Sequence, residues 1–194
     1  FIFTQNDQFL GEVLNTLYKD GNYGFSGVYR PLANKIKRRF QIEWESSCAL
    51  YYYPSNKIDI SLIKNPVQCA KICDAKTIDS YYTFKDETSL VRIINDLEKR
   101  YSSAVYVNAD IACWVLTHND NSMGVMYTRE EYRKMGYAVD VTIDLTNKIL
   151  KSGKRPFLQI IEGNFMSPGL AKKCGFVHDG IFSDWFGIIV PKEQ

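Results

Sequence analysis

The stretch "MGVMYTREEYRKMGYAVDVTIDLTNKILK", residues 123–151, decides the fold of this 194-residue chain. An apolar run at 124–128 has the composition of a strand, and a tight basic turn and an amphipathic helix follow it. The helix is predicted from about Tyr137 to Lys151, with Gly153 as its stop signal. Its inward face is predicted to carry Ala138, Val141, Leu145 and Ile149.

The turn before this helix, residues 133–138, reads "RKMGYA". The first N–H groups of a helix have no intrahelical acceptor, and the helix dipole places about half a positive charge there. A glycine at position 136 lets the backbone approach a phosphate, and Ala138 keeps the first turn clear. The turn therefore predicts an anion socket suited to a diphosphate. Taken alone, the pattern is equally compatible with a helix that happens to start at a glycine.

The surrounding runs predict a mixed sheet. Apolar runs at 103–107, 111–116 and 124–128 are separated by turns, and they predict an antiparallel meander. The run at 157–161 follows the central helix, so a right-handed crossover should make it parallel to 124–128. A short helix at 167–174 and strands at 175–177 and 183–190 complete this half. The fold class is therefore α/β, of the α+β type.

A second amphipathic helix, 87–100, is predicted before the meander, with Thr88 or Ser89 as its cap. Its inward residues are Leu90, Ile93, Ile94 and Leu97.

The N-terminal third gives weaker signals. It predicts a helix that begins at Asp7 and ends at Gly21, and then a Gly-rich loop through Gly27. The basic run 35–40 is predicted to be a solvated turn, and 48–53 and 58–63 are predicted to be strands. These features suggest two domains, an N-terminal lobe at 1–65 and a C-terminal domain at 66–194.

The composition excludes several classes of protein. A net charge of +2 gives no strong attraction to nucleic acid or to an anionic membrane, and no run approaches the roughly 20 apolar residues that span a bilayer. Five cysteines without a glycosylation sequon fit a reducing intracellular compartment, cytoplasmic or alternatively mitochondrial. Cys69 and Cys73 could share a helix face, but without a second Cys/His pair they predict buried thiols and no metal site.

Two motifs in order resemble the GNAT superfamily of acyl-CoA-dependent N-acyltransferases. Arg-x-x-Gly-x-Ala, from Arg133 to Ala138, lies between a strand and a helix as that superfamily's pyrophosphate loop does. The later stretch "EGNFMSPGLAKKCGF", 162–176, is similar to its second signature, with Asn164, Ser167, Gly175 and Phe176 at the characteristic positions. The resemblance implies a GNAT sheet with flanking helices, whose splayed parallel fourth and fifth strands are here 124–128 and 157–161.

Within that superfamily the chain looks like the glycine N-acyltransferase and glycine N-acyltransferase-like group. The similarity runs over roughly 66–187 and includes a strand with Trp114, the "EYR" segment 131–133 and the "SDW" segment 183–185. The N-terminal third matches only as the partial second lobe that such proteins carry.

The resemblance implies direct transfer of an acyl group, acetyl or longer, from acyl-CoA to an amine. The pantetheine would pair with the backbone of Val125, Met126 and Thr128, and an amide near Met126 would stabilise the oxyanion. Asn164 would contact the pantetheine arm, and Lys172 or Lys173 would approach the phosphates. The full set of implied cofactor-binding residues is Val125, Met126, Thr128, Arg133, Lys134, Met135, Gly136, Tyr137, Ala138, Asn164 and Ser167.

The catalytic residues depart from the family's pattern. Amines titrate at about pH 8 to 10, so the reaction needs a general base or a desolvating pocket. The family's glutamate at the start of the fourth strand is replaced by Ser122, and its C-terminal tyrosine acid is replaced by Ala171.

Substitutes for these groups are present in the chain. His118 and Asp120 lie in the hairpin before the strand and could deliver a base through water, although solvated turn residues are an alternative. Glu162 ends the fifth strand and is a second candidate base. Tyr127 is a candidate acid or pocket wall.

Four further polar or aromatic residues could have structural rather than catalytic roles. His178 and Asp184 follow the last helix, where a structural hydrogen bond is the competing interpretation. Trp114 and Trp185 are expected in the core or in a pocket wall.

Three functions remain open on the sequence. The first is an N-acyltransferase acting on a small molecule or an amino acid such as glycine, as a monomer or homodimer. The second is a CoA-binding pseudoenzyme or regulatory module, which the missing glutamate and tyrosine favour. The third is an acetyltransferase of protein N-termini or lysines, which would predict an acidic or open acceptor groove. The meander carries few acidic residues, such as Asp110 and Asp120.

Overall fold

The computed structural model of the protein describes residues 6–17 and 20–191. Within these ranges it contains seven strands and six α-helices. Chain order is α1 (Asp7–Leu17), β1 (Gly21–Tyr29), α2 (Arg30–Lys37), β2 (Gln41–Tyr52), α3 (Ala75–Ser80), α4 (Ser89–Lys99), β3 (Ser102–Val107), β4 (Asp110–Thr117), β5 (Met123–Thr128), α5 (Tyr137–Lys151), β6 (Phe157–Ile161), α6 (Ser167–Lys173) and β7 (Val177–Val190).

The strands form one mixed sheet in the order β1-β7-β2-β6-β5-β4-β3. The β1–β7, β3–β4 and β4–β5 ladders are antiparallel, and β5 with β6 is parallel. The predicted fold class, a mostly antiparallel sheet with flanking helices and one parallel pair, is confirmed. Within residues 51–158, the parallel pairing places Met123 opposite Leu158. The splay of the two strands stays a prediction.

The chain divides into two compact units. One comprises 1–50, 159–164 and 178–194, and the other comprises 51–158 and 165–177. Both units are assembled from separate stretches of sequence, whereas the predicted lobes at 1–65 and 66–194 are consecutive. That division into lobes stays a prediction.

In the first unit, β1 pairs antiparallel with β7, and helices α1 and α2 pack against these strands. The rings of Phe25 and Phe186 stack with centroids 4.7 Å apart. Buried residues of α1, α2 and β7 form the core of this unit: Leu10, Leu14, Leu32, Ala33, Ile36, Phe186 and Ile188. The predicted Gly-rich loop through Gly27 is therefore wrong, since 21–29 is a strand.

Glycine in this strand serves close packing rather than a loop. A Cβ at Gly187, the β7 partner of Gly24, would lie 2.3 Å from the indole nitrogen of Trp44. The prediction of a solvated turn at 35–40 is also wrong in part. Its first three residues end α2, Ile36 is buried, and the Lys37 ammonium binds a buried carboxylate.

That carboxylate belongs to Asp184, which is 1% exposed. It accepts hydrogen bonds from Lys37 Nζ at 2.9 Å, Ser47 Oγ at 3.0 Å and Arg30 Nε at 3.1 Å. Burial opposes its ionisation, but Lys37, Ser47 and Arg30 outweigh burial and hold the pKa of Asp184 below its usual value. Asp184 therefore joins β7 to α2 and β2 as a paired buried charge.

The other two residues of the "SDW" segment are also structural. Ser183 Oγ and Trp185 Nε1 both donate to Gln159 Oε1, at 2.6 and 2.8 Å. The remaining histidine outside the meander, His178, places Nδ1 2.9 Å from the carbonyl oxygen of Leu50, which matches its structural reading.

In the second unit, α3 and α4 cover one face of the meander. The core here contains Ala70, Ala75, Ile78, Ile93, Leu97, Ala104, Ile111, Trp114 and Leu116. The predicted helix at 87–100 and the three predicted meander strands are confirmed within one or two residues. Thr88 is the cap residue of α4 by position, but its side chain makes no capping hydrogen bond.

The central helix α5 runs from Tyr137 to Lys151, as predicted, and packs against β3 and β4. Val141, Leu145 and Ile149 are buried, and Ala138 is half-buried. Gly153 follows the helix with a φ of 76°, a left-handed conformation that suits glycine.

Three further predictions are wrong. Residues 58–63 are not a strand, because Asp59 caps a 3-10 turn at Ile60–Leu62 through the Ser61 amide, at 2.9 Å. Cys69 and Cys73 share no helix, and both thiols are exposed. The strands predicted at 175–177 and 183–190 belong to a single fourteen-residue strand, β7, which begins at Val177.

In the described residues, no helix is both long and apolar enough to cross a lipid bilayer.

Asp184→Asn should destabilise the protein strongly. The substitution keeps the volume but leaves Lys37 and Arg30 facing a neutral group, and breaking a buried ion pair costs about 3–5 kcal/mol. Because the pKa of Asp184 is lowered, its contribution is present above about pH 4 and is lost as pH falls through the folded-state pKa. Urea unfolding at pH 7 and at pH 3 measures both effects.

Glu45→Gln is the matched control. Glu45 pairs with the same Lys37 at 3.0 Å, but its side chain is 59% exposed, so its loss should cost under about 1 kcal/mol. Equal unfolding free energies for the two variants would contradict the structural role of Asp184.

Candidate functional site

Strand β5 contains a bulge in its middle. Trp114 pairs with Tyr127 and Leu116 pairs with Gly124, so three steps along β5 oppose two along β4. Val125 lies in the bulge with a φ of 49°, a conformation that a β-branched residue rarely adopts. Residues 125 and 126 consequently leave the ladder with β4. Strained backbone of this kind is concentrated at functional sites.

After β5, the chain makes a 3-10 turn at Glu130–Tyr132 and then alternates the sign of φ. Lys134 has a φ of 64° and Gly136 a φ of 88°, whereas Met135 and Tyr137 do not have positive φ. Alternation of this type points successive N–H groups into one concavity, the arrangement known as an anion-binding nest.

The backbone N–H groups of residues 134–138, which we call the socket, lack protein acceptors in the described part of the chain. The first helical bonds of α5 are Val139 N to Gly136 O at 2.9 Å and Asp140 N to Gly136 O at 3.2 Å. Gly136 caps the helix without a side-chain hydrogen bond. Five consecutive donors with the helix dipole behind them make a site for an anion.

Gly136 meets two requirements at this position. Its φ of 88° strains any residue with a Cβ, and a Cβ built there would meet no atom within 4 Å. The space that a side chain at Gly136 would enter is therefore open. The predicted cofactor-binding residues Arg133, Lys134, Met135, Gly136, Tyr137 and Ala138 are brought together in one exposed loop and helix start.

Asp140 links the socket to an earlier segment that the sequence did not point to. Its carboxylate is buried in the first turn of α5 and accepts from Lys64 N at 3.0 Å and Asn65 Nδ2 at 2.6 Å. A carboxylate in a first helical turn is stabilised by the dipole. Asp140 therefore holds residues 64–65 against the start of α5. The sequence shows an acidic residue in the first turn of the helix, but it does not show that Lys64 and Asn65 are the partners of this carboxylate.

Arg133 ties the loop to the end of β5. Its guanidinium donates to Thr128 O and Tyr127 Oη, both at 3.3 Å, and pairs with Glu130 at 3.1 Å. The guanidinium also lies over the Tyr127 ring, 5.7 Å from its centroid. Arg133 therefore sets the angle at which the chain leaves the strand.

The side chains of β5 alternate between two environments. Val125 and Tyr127 pack against the α3–α4 core. Met126 faces α5, where Thr142 Oγ1 lies 4.0 Å from its sulfur, and Thr128 Oγ1 lies 3.0 Å from Cys113 Sγ. Burial raises the pKa of Cys113 to about 12, so this thiol is neutral and a poor nucleophile.

His118 lies directly beside β5. Its backbone closes the hairpin through Ser122 O at 2.9 Å, and its ring lies against Gly124, where a Cβ would approach Nε2 to 2.1 Å. Burial lowers the pKa of His118 below 6.5, although Asp120 and Asp96 oppose this shift. The imidazole is therefore neutral at pH 7. The sequence identified His118 but not its contact with Gly124.

At the two positions where the resemblance would place a glutamate and a tyrosine, the chain has side chains that are neither acids nor bases. Ser122 is buried, and its hydroxyl donates to Asp120 Oδ1 at 2.6 Å within the hairpin. Ala171 is buried in α6.

Two further predicted site residues, Glu162 and Asn164, lie in the first unit. Glu162 pairs with Arg30 at 2.9 Å, and its amide donates to Ser47 O at 2.8 Å. To act as a base, Glu162 would have to accept a proton while it is paired with the Arg30 guanidinium. The Asn164 amide closes a turn onto Ile161 O at 3.0 Å. Ser167, in the second unit, is the first residue of α6.

Two comparisons with known proteins found matches to this chain. A family model described as FR47-like protein matches residues 105–183, which run from β3 into β7. Among curated protein sequences, none matches the chain significantly.

Solved structures match over nearly the whole chain. A Drosophila protein aligns with a TM-score of 0.76 and 15% identity, over 98% of this chain and 69% of its own. A GNAT-family acetyltransferase from Colwellia psychrerythraea aligns with a TM-score of 0.63 and 13% identity, over 96% of this chain and 75% of its own. A putative GNAT-family acetyltransferase from Novosphingobium aromaticivorans aligns with a TM-score of 0.62 and 11% identity, over 95% of this chain and 80% of its own. The chain therefore has the fold of these GNAT proteins.

Gly136→Glu should abolish stabilisation of the protein by CoA. The new carboxylate would enter the open space before the socket and repel the diphosphate. The measurement is the shift in Tm on adding CoA to wild type and variant.

Gly153→Glu provides the matched control at the other end of α5. Gly153 also has a positive φ, 76°, and no atom within 4 Å of a built Cβ, so the backbone strain is comparable. This control should lose stability but keep its CoA-induced shift. A full CoA shift in Gly136→Glu would refute the socket.

Proposed function

We propose that the protein transfers an acyl group from acyl-CoA to the amine of a small-molecule acceptor, with glycine as the family-based favourite. The observation that carries the proposal is the socket, five N–H groups without acceptors in the described residues, which follows the bulged strand after one 3-10 turn. The GNAT fold supports the same reaction class. The linked phosphates of CoA carry the charge and the oxygen acceptors that such a row of donors would bind.

The bulge supplies the second part of the proposed site. With the diphosphate in the socket, the pantetheine would run back along β5, where residues 125 and 126 are outside the β4 ladder. An extended chain can pair with unladdered strand backbone, as an added strand would. The thioester would then lie near the Met126 amide, which could donate to the developing oxyanion.

We assign the general base to His118 rather than to Glu162. His118 contacts Gly124 of β5 and is neutral at pH 7, whereas Glu162 is paired with Arg30. In the reaction, the amine nitrogen attacks the thioester carbon, a C–N bond forms and the C–S bond breaks. His118 takes the proton from the amine, and the CoA thiolate departs and is protonated by Tyr127 or solvent.

Transfer through an acyl-cysteine is not favoured. The Cys113 thiol beside Thr128 is neutral because burial raises its pKa to about 12. A thiolate would be required for attack on the thioester.

A second function, CoA binding without turnover, is favoured by one observation. Ser122 and Ala171 occupy the positions at which the resembled family has a glutamate and a tyrosine. Both residues are buried, and neither side chain is an acid or a base. In that case CoA would stabilise the protein, but no amine would release its thiol.

His118→Gln should remove one ionisation from the pH profile. For wild type, log kcat/KM should rise with slope 2 below the pKa of His118, which lies below 6.5, and with slope 1 from there to the pKa of the acceptor amine. The variant should show slope 1 throughout and a rate reduced by about 10²–10⁴ at pH 7. Thiol release from acetyl-CoA measures both quantities.

His178→Gln serves as the control, because His178 is the second of only two histidines and bonds Leu50 O in the first unit. Its profile should match that of wild type. A slope of 2 that persists at low pH in His118→Gln would exclude His118 as the base.

A further inference from the structure

The backbone of Lys64 is fixed against the start of α5, while its ammonium group is unpaired. The Lys64 N–H donates to Asp140 Oδ1 at 3.0 Å, and the neighbouring Asn65 Nδ2 donates to Oδ2 at 2.6 Å. The Lys64 residue is exposed, and its ammonium makes no hydrogen bond or ion pair within the residues that the structure describes. The fold therefore holds an unpaired cation at a defined place on the first turn of α5.

This place is close to the socket. Asp140 follows Ala138, the last residue of the socket, by two positions, and an α-helix rises about 1.5 Å per residue. The anchor of Lys64 is therefore roughly 3 Å along the helix axis from the socket. Because a lysine side chain is long and flexible, its ammonium can reach an anionic group bound in front of these N–H groups.

Asp140 gives an electrostatic reason for a cation here. Its carboxylate is 2% exposed, and the hydrogen bonds that it accepts from the Lys64 amide and the Asn65 side chain come from uncharged donors. A buried negative charge in the first helical turn repels an anion that binds at the helix start. The ammonium of Lys64, held beside the same carboxylate, offsets this repulsion.

Coenzyme A carries one anionic group that the socket does not account for. The proposed function places the diphosphate on the N–H groups of the socket, and the 3′-phosphate of the ribose then needs a partner of its own. A phosphate monoester has a charge of about −2 near neutral pH. Lysine is a common partner for such a group, because its ammonium acts as a point charge that needs no fixed geometry.

Other cations on or next to α5 are already paired. Arg133 pairs with Glu130 at 3.1 Å, and Lys148 pairs with Asp144 at 2.6 Å. Two lysines in the last turn of α6 are the alternative partners for a phosphate, and α6 also packs against α5. Lys64 differs from them because a buried carboxylate of α5 fixes its backbone.

We propose that Lys64 binds the 3′-phosphate of coenzyme A, so that the protein prefers CoA to 3′-dephospho-CoA. This inference rests on the proposed function, because it needs the diphosphate in the socket. It assigns cofactor specificity to a residue that lies outside both sequence motifs, 133–138 and 162–176, and that reaches α5 only through the tertiary fold.

The test measures the Kd of CoA and of 3′-dephospho-CoA, which lacks only that phosphate, by isothermal titration calorimetry. Wild type should bind CoA at least tenfold more tightly. Lys64→Gln should weaken CoA binding about tenfold and leave dephospho-CoA binding unchanged, because the lost charge-assisted contact exists only with the phosphate. Lys64→Arg keeps the charge and should keep the preference. Both variants retain the backbone N–H that Asp140 accepts, and thermal unfolding without ligand verifies the fold.

Lys76→Gln is the matched control, since it removes the same charge from an exposed lysine of the same unit. Lys76 belongs to α3, whose core contacts the Val125 and Tyr127 side of β5, whereas Met126 faces α5. A general effect of net charge would appear in both variants. A contact with the 3′-phosphate should appear in Lys64→Gln alone.

The outcomes separate this inference from the proposed function. If wild type binds neither ligand, the proposed function is overturned. Equal Kd values for CoA and dephospho-CoA would overturn the Lys64 assignment and leave the socket intact. A preference for CoA that survives in Lys64→Gln but is lost when Lys172 and Lys173 are both changed to Gln would move the contact to α6 and overturn the assignment. Loss of the preference in Lys64→Gln, with Lys76→Gln like wild type, supports it.

Discussion

The proposed site depends on a short row of backbone N–H groups that have no acceptor among the described residues. This row, 134–138, lies between the end of β5 and the first turn of α5, where Lys134 and Gly136 have positive φ angles. Left-handed conformations at non-glycine residues cost about 1–3 kcal/mol each. The fold keeps them because the elements on either side fix the ends of the loop.

Those fixed ends explain several contacts that otherwise look unrelated. Arg133 bonds the end of β5, and Asp140 anchors the first turn of α5 to Lys64 and Asn65. The bulge at Val125 takes the preceding backbone out of the β4 ladder, so the open socket continues into unladdered strand. The His118 ring lies against the same strand, at Gly124. The proposed cofactor groove and the proposed base would thus both lie along β5.

The sequence predicted the second unit well because its signals are local. The meander strands and α5 have regular periodicity, and Gly136 and Gly153 mark both ends of the helix. The N-terminal strand β1 was missed because its glycines are typical of loops, whereas here Trp44 packs on the glycine pair Gly24 and Gly187. The apolar run at 58–63 alternates like a strand, but Asp59 bends it into a 3-10 turn. The contact of His118 with Gly124 depends on tertiary packing, so no sequence pattern predicted it.

The most direct test is a crystal structure of the protein soaked with coenzyme A. The account predicts that oxygens of the two linked phosphates lie at hydrogen-bond distance, about 2.7–3.2 Å, from backbone nitrogens within 134–138. Phosphates bound elsewhere on the protein, or socket amides bonded to protein atoms while CoA is present, would contradict it.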